Sequence, residues 1–221
     1  MADVRFLTDR VKLEGRRAFT FSIWGDVPVY GERYYETEGG TWREWNPSRS
    51  KLAAYLLKGG TIFPFAERSS VLYLGVAQGT TASHISDICV GGQIYGVEIS
   101  PEAIRKFTAL STVRRNLYPI LADAARPESY ADLLPPKVEI IYQDIAQKNQ
   151  VDILLKNSSL FLKKDGLAYL MLKARSVDVT APADRIYSEV RRRLLDVFEI
   201  LDERSLKPYS IGHRAFVLRR L

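Results

Sequence analysis

From residue 70 onward, short and almost purely apolar runs alternate with stretches long enough for a helix, and no other feature narrows the fold as much. The runs span 71–76, 93–98, 118–123, 138–144 and 167–172, followed near the end by 198–201 and 214–218. Strands without polar alternation are buried on both faces, as in a parallel sheet covered by helices on both sides. The last two runs are joined by residues 202–213, which leave no room for a good helix, so they should pair antiparallel. The expected architecture is α/β: a Rossmann-like, seven-stranded, mostly parallel sheet with an antiparallel last strand.

A different pattern precedes it. Ala18–Trp24 alternates, Gly25-Asp26-Val27-Pro28 turns, and Tyr30–Tyr35 is aromatic and polar by turns. Glu38-Gly39-Gly40-Thr41 turns again before Trp42–Trp45. This predicts a small β-meander over residues 1–50, with Trp24, Tyr30, Tyr34, Tyr35, Trp42 and Trp45 mostly in its core. Asn46-Pro47 breaks the pattern. Ser48 or Ser50 can cap a helix over 51–57, which Gly59-Gly60 ends, and the α/β domain occupies 51–221.

Composition excludes several classes. With 46% apolar and 26% charged residues in 221, the chain is neither disordered nor fibrous. No run approaches the ~20 apolar residues that span a bilayer, and the first residues start no signal peptide. The single Cys89 cannot form an internal disulfide or a metal cluster. The expectation is a soluble, intracellular protein with no membrane partner. The net charge of +6 lies wholly beyond residue 50, because the first fifty residues balance eight basic with eight acidic side chains. Such an excess suits a polyanion without requiring one.

In a sheet of this kind, ligands bind beyond the carboxyl ends of the strands. The first strand runs into Gly75-Val76-Ala77-Gln78-Gly79-Thr80-Thr81. Ala77 breaks the dinucleotide fingerprint, and the absence of lysine after Gly79 breaks the P-loop. A glycine-bracketed loop that brings backbone amides to a small ligand remains. Glu98 ends the second strand, where a carboxylate can accept from both hydroxyls of a ribose. Asp123-Ala124 ends the third, suited to an adenine amino group. Each alone could be a turn former or a helix cap. Together they describe an S-adenosylmethionine pocket, and hence a class I methyltransferase.

Four further ionisable groups converge on the same end: Lys51, Asp144, Lys173 and His213. His84 reads as structural or surface-facing. Lys163-Lys164, Arg114-Arg115 and Arg191-Arg192-Arg193 read by default as solvated faces.

Several segments, in order from about residue 18 to the end, resemble fibrillarin, the ribose 2′-O-methyltransferase of box C/D ribonucleoproteins, in its short archaeal form. They are Trp45–Ala54, Tyr73–Thr81, Ser83–Ile88, Tyr95–Glu98, Ile141–Gln147 and Leu172–Thr180. The resemblance implies a Lys-Asp-Lys-His tetrad at Lys51, Asp144, Lys173 and His213. It implies cofactor contacts at Gly75, Ala77, Gly79, Thr80, Thr81, Glu98, Asp123, Ala124, Asp144 and Gln147, and no metal. Ala77-Gln78, Ala82 and Gly212 depart from the family pattern, the last in place of an acidic neighbour to His213. The resemblance also implies a Nop-domain scaffold protein, a kink-turn-binding ribosomal-protein-like subunit, a box C/D guide RNA and rRNA or tRNA targets, in the cytoplasm of an archaeal cell.

A 2′-hydroxyl is a weak nucleophile, so the enzyme must align it and remove its proton. A lysine can do this only when burial and a second cation lower its pKa from about 10.4. Lys173 is the expected base, with Asp144 orienting it and Lys51 and His213 positioning ribose and phosphate. Two alternatives stay open: a methyltransferase acting on a small molecule or protein, and a non-catalytic RNA-assembly subunit.

Overall fold

The computed structural model describes residues 3–25 and 28–221. The proposed turn at Asp26-Val27 lies outside the described residues. Five strands come first: β1 (Val4–Thr8), β2 (Val11–Glu14), β3 (Arg17–Ser22), β4 (Tyr34–Thr37) and β5 (Gly40–Trp45). They form one antiparallel sheet in the order β1-β2-β3-β5-β4, so the simple meander is corrected in its strand order. Two strands precede Ala18, and β5 returns between β3 and β4. The long connection after Ser22 carries the chain to the far edge, and the tight turn at Gly40 brings β5 back to pair with both neighbours. Only Trp42 and Trp45 of the six aromatic residues are buried, the other four being partly exposed.

Ser50 caps α1 (Lys51–Leu57) by accepting from the Ala53 N–H. The second sheet contains β6 (Ser70–Leu74), β7 (Gln93–Glu98), β8 (Leu117–Leu121), β9 (Val138–Gln143), β10 (Leu162–Lys173), β11 (Phe198–Ser205) and β12 (His213–Arg220). Its order is β11-β12-β10-β9-β6-β7-β8. The pairs among β6–β10 are parallel, and β12 is antiparallel to both β10 and β11. β11 extends to Ser205, further into the expected loop than the apolar run reaches. Between the strands lie α2 (Thr80–Ile88), α3 (Pro101–Ser111), a 3-10 segment (Pro127–Leu133), α4 (Gln150–Phe161), α5 (Ala174–Val177) and α6 (Ala183–Leu194). Two apolar clusters, one on each face of this sheet, account for the unbroken hydrophobic runs.

The two sheets meet at a buried ionic network. Arg43 on β5 donates to Glu32 (2.5 Å), to Asp87 of α2 (2.8 Å) and to the Ser83 hydroxyl (2.6 Å). Arg114 donates to the other Asp87 oxygen at 2.6 Å. Arg114 is therefore buried, contrary to its reading as a solvated group, because Asp87 supplies a charge partner inside. His84 is buried too, stacked on Trp45 and bonded to Thr20 and Tyr30, which removes the surface-facing alternative.

Candidate active site

Four parallel strands end side by side, and their loops build the site. β6 ends at Leu74, and Gly75 turns with φ +78°. A Cβ on Gly75 would lie 2.6 Å from the Asp144 carbonyl oxygen, so only glycine lets the two loops approach this closely. Gly75 and Val76 both donate to the Val97 carbonyl, which pins the loop over β7. Gly79 caps α2 at φ +91°, where a Cβ would meet the Phe107 ring at 2.7 Å.

Glu98, the last residue of β7, accepts from the Ala77 N–H and the Ser100 N–H, each at 2.9 Å. Each of its oxygens retains a lone pair for a further donor. Asp123 lies two residues beyond β8, and its Oδ1 accepts from the Ala125 N–H at 2.9 Å. A cleft of about 240 Å³ opens among Gly75, Ala77, Glu98, Ala122, Ala124, Asp144 and Gln147, with Val97, Ile99, Ile145 and Ala146 as its apolar wall. Its shape and lining suit a flat, partly apolar ligand carrying hydroxyls at the Glu98 end.

A second cleft, of about 410 Å³, shares the wall of Gly75, Ala77, Asp144, Ile145 and Ala146 with the first. It is lined further by Arg49, Lys51, Tyr73, Val76, Thr80, Thr81, Lys173 and His213. All four polar residues named from the sequence thus face one cavity, adjoining the first across Asp144. Thr80 and Thr81 border this second cleft, while Gly79 and Asp123 line neither.

Lys51 Nζ donates to Asp144 Oδ2 at 2.8 Å. Asp144 therefore engages Lys51, in place of the expected pairing with Lys173, and among the described residues Lys173 has no carboxylate partner. The reason is geometric: Ser50 starts α1 so that the Lys51 side chain reaches over the end of β9. Lys173 and His213 are directly opposite across β10 and β12. The Lys173 N–H is bonded away from β12, and the His213 carbonyl accepts from Leu206 on the β11 side. This makes them a non-hydrogen-bonded pair, the register that brings side chains closest on one face.

Burial foremost, with the positive charges of Lys51 and Lys173, pulls the His213 pKa below its usual value despite the opposing Asp144 charge and Ile211 carbonyl. The ring is neutral at pH 7. Its Nδ1 lies 3.1 Å from the Ile211 carbonyl and 3.0 Å from the Ser210 hydroxyl. The carbonyl can only accept, so Nδ1 carries the proton and Nε2 keeps its lone pair. Ser210 and Ile211 thereby take the place of the acidic neighbour that Gly212 lacks.

Arg49 and Tyr73 were not singled out from the sequence. Arg49 was legible only as part of the loop before Lys51, and Tyr73 read as one more apolar strand residue. Burial, first among the causes, holds the Tyr73 phenol well above its usual pKa, so it stays a neutral donor.

A fibrillarin family model matches residues 6–220. A fibrillarin-like rRNA/tRNA 2′-O-methyltransferase of Thermococcus gammatolerans is 48% identical over 194 residues, covering 87% of this chain and 85% of that protein. The crystal structure of Aeropyrum pernix fibrillarin with natively bound S-adenosyl-L-methionine has a TM-score of 0.87 at 40% identity, covering 99% of this chain and all of the other. A fibrillarin/Nop5p complex gives 0.88 at 40% identity, covering 96% of this chain and 98% of that one. A match along nearly the whole chain, with the two adjoining clefts in the same molecule, leads to one conclusion: the chain belongs to the fibrillarin family.

Proposed function

We propose that this protein is an RNA ribose 2′-O-methyltransferase that uses S-adenosylmethionine and acts on rRNA and tRNA within a box C/D ribonucleoprotein. The observation that carries the reading is the meeting of the two clefts at Asp144, one suited to a nucleoside and the other lined by Lys51, Lys173 and His213. The residues fit the cofactor: Glu98 suits its ribose hydroxyls, the wall of Ile99, Ala122 and Ala124 its ring, and the glycine turn at Gly75 the close approach of its chain. When bound, S-adenosylmethionine supplies a methyl group activated on a sulfonium centre.

The chain's own groups align and deprotonate the acceptor. Lys173 is the general base in this reading and takes the proton of the 2′-hydroxyl. The Lys51–Asp144 pair fixes the floor of the cavity and presents a cation to the RNA backbone, with Arg49 beside it at the rim. His213 offers its Nε2 lone pair to a ribose hydroxyl. Its neutrality and tautomer also make it a second candidate for the base, which a His213→Ala variant separates from Lys173.

A small-molecule or protein methyltransferase would leave this open, cationic cleft without a purpose. The likeness to a fibrillarin found with Nop5p supports a Nop-domain scaffold as partner. The same reading assigns specificity to a guide RNA held with a kink-turn-binding subunit, in the cytoplasm of an archaeal cell. Among the described residues no helix is long and apolar enough to cross a membrane.

The test compares wild type with Lys173→Ala in methyl transfer to RNA and in S-adenosylmethionine binding. Turnover should fall by about 10²–10⁴-fold, the usual contribution of a general base, with cofactor affinity nearly unchanged. Turnover retained at the wild-type level would refute the assignment.

A further inference from the structure

We propose that Gln150 is a positioning residue for Lys173, its side-chain amide standing in for a strand residue that the sheet lacks beside the site. The inference rests on the reading of Lys173 as the proton acceptor. The parallel ladder between β9 and β10 ends at the pair Leu170↔Gln143. Beyond Gln143 the chain parts from β10, although the Asp144 N–H still donates to Leu74 of β6, and residues 144–147 wall the clefts. β10 continues three residues further, to Lys173, with no strand on that side.

On its other side, β10 is bonded to β12 through the next residue, Ala174, whose N–H donates to the Gly212 carbonyl. The N–H and C=O of Lys173 consequently face the gap that β9 has vacated. A main-chain pair left unmet there would be costly, because buried peptide groups require partners.

Gln150 fills that gap. Its Oε1 accepts from the Lys173 N–H at 3.3 Å, and its Nε2 donates to the Lys173 carbonyl at 3.3 Å. A primary amide carries a donor and an acceptor side by side, as a peptide unit does, so one side chain completes both bonds of the missing rung. The second Nε2 hydrogen donates to the Gln147 carbonyl at 3.0 Å, which ties Lys173 to the loop lining the cofactor cleft. Gln150 is itself held: it is fully buried, begins α4, and its own carbonyl accepts from Gln143 Nε2 at 2.6 Å. The residue before Asp144 and the backbone of Lys173 are thus joined through one residue, the first by its main-chain carbonyl and the second by its side-chain amide. Lysine has a long, freely rotating side chain, so the position of its Cα sets which part of the cavity Nζ can reach.

The experiment measures kcat, KM for RNA, cofactor affinity and melting temperature for Gln150→Met, Gln150→Asn and Ile153→Ala. Methionine keeps the bulk without the amide. Asparagine keeps the amide one methylene short of Lys173. Ile153, fully buried in the same helix and lining neither cleft, reports the effect of lost stability alone. Both Gln150 variants should lose about 100-fold in kcat, the cost of roughly 1 Å of misplacement, with little change in KM for RNA. Ile153→Ala, with an equal or larger fall in melting temperature, should keep its kcat. If Gln150→Met does not fold, the kcat of Gln150→Asn decides. Full kcat in a folded Gln150 variant, or a loss no larger than that of Ile153→Ala at matched stability, overturns the inference. Lys173→Ala in the same assay separates the two ideas. An active Lys173→Ala refutes the base assignment, whereas an inactive one beside fully active Gln150 variants refutes the positioning role alone.

Discussion

His84 sits in the interior with its protonation state fixed by its neighbours. The Thr20 hydroxyl donates to Asp87 at 2.8 Å and so receives its 2.8 Å bond from His84 Nδ1–H, leaving Nε2 to accept from the Tyr30 hydroxyl. Burial first, then the charges of Arg43 and Arg114, hold its pKa well below 6.5. Above that value both folded and unfolded chains are neutral at this residue. Below it the unfolded chain takes up a proton that the folded chain refuses, so stability falls as the pH drops. His213, the other histidine, is shifted the same way and adds to the loss. Denaturant unfolding of the wild type should therefore show declining stability from about pH 6.5 toward pH 5. The decline should be visibly shallower in His84→Gln, and an unaltered slope would contradict the account. The sequence showed only that His84 lies in a helix; its isolation from solvent depends on Trp45 of β5 and on Tyr30 from the connection between β3 and β4.

At the scale of elements, the join between β5 and α2 is ionic where an apolar contact would suffice. Burial alone would raise the Glu32 pKa, but Arg43 and the N–H groups of Val29 and Tyr30 hold it below the usual carboxylate value. Removing one partner strands the others. Arg43→Met leaves Glu32 without its cation and Asp87 with Arg114 alone, which should cost about 3–5 kcal/mol of unfolding free energy, measured by denaturant titration. A loss below about 1 kcal/mol, the range of an exposed pair, would mean that water reaches the network. The apolar runs made β6–β10 legible because a strand buried on both faces needs no polar alternation. The position of β4 outside β5 was not legible, since strand order in an antiparallel sheet depends on where a connection crosses. The burial of Arg114 was equally hidden, because its partner Asp87 lies 27 positions away in sequence.

Across the whole molecule, the site is legible as far as its residues sit at strand ends. Lys51, Asp144, Lys173 and His213 do share one cavity. Their pairing was misjudged, because the sequence does not reveal that the capped start of α1 delivers Lys51 to Asp144. Glu98 and Gly75 line the first cleft, whereas the Asp123 carboxylate turns back to the Ala125 N–H and lines neither. The excess of basic charge beyond residue 50 and the open cleft both suit a long RNA held by a larger particle rather than an enclosed small substrate. The decisive measurement follows labelled methyl from S-adenosylmethionine into RNA by this protein assembled with a box C/D guide and its two partner proteins. Two targets are compared, identical except that one carries 2′-deoxyribose at the guided nucleotide. The account predicts label on the ribose 2′-oxygen of the first and none on the second; equal labelling of both, or none on either despite cofactor binding and verified assembly, would contradict it.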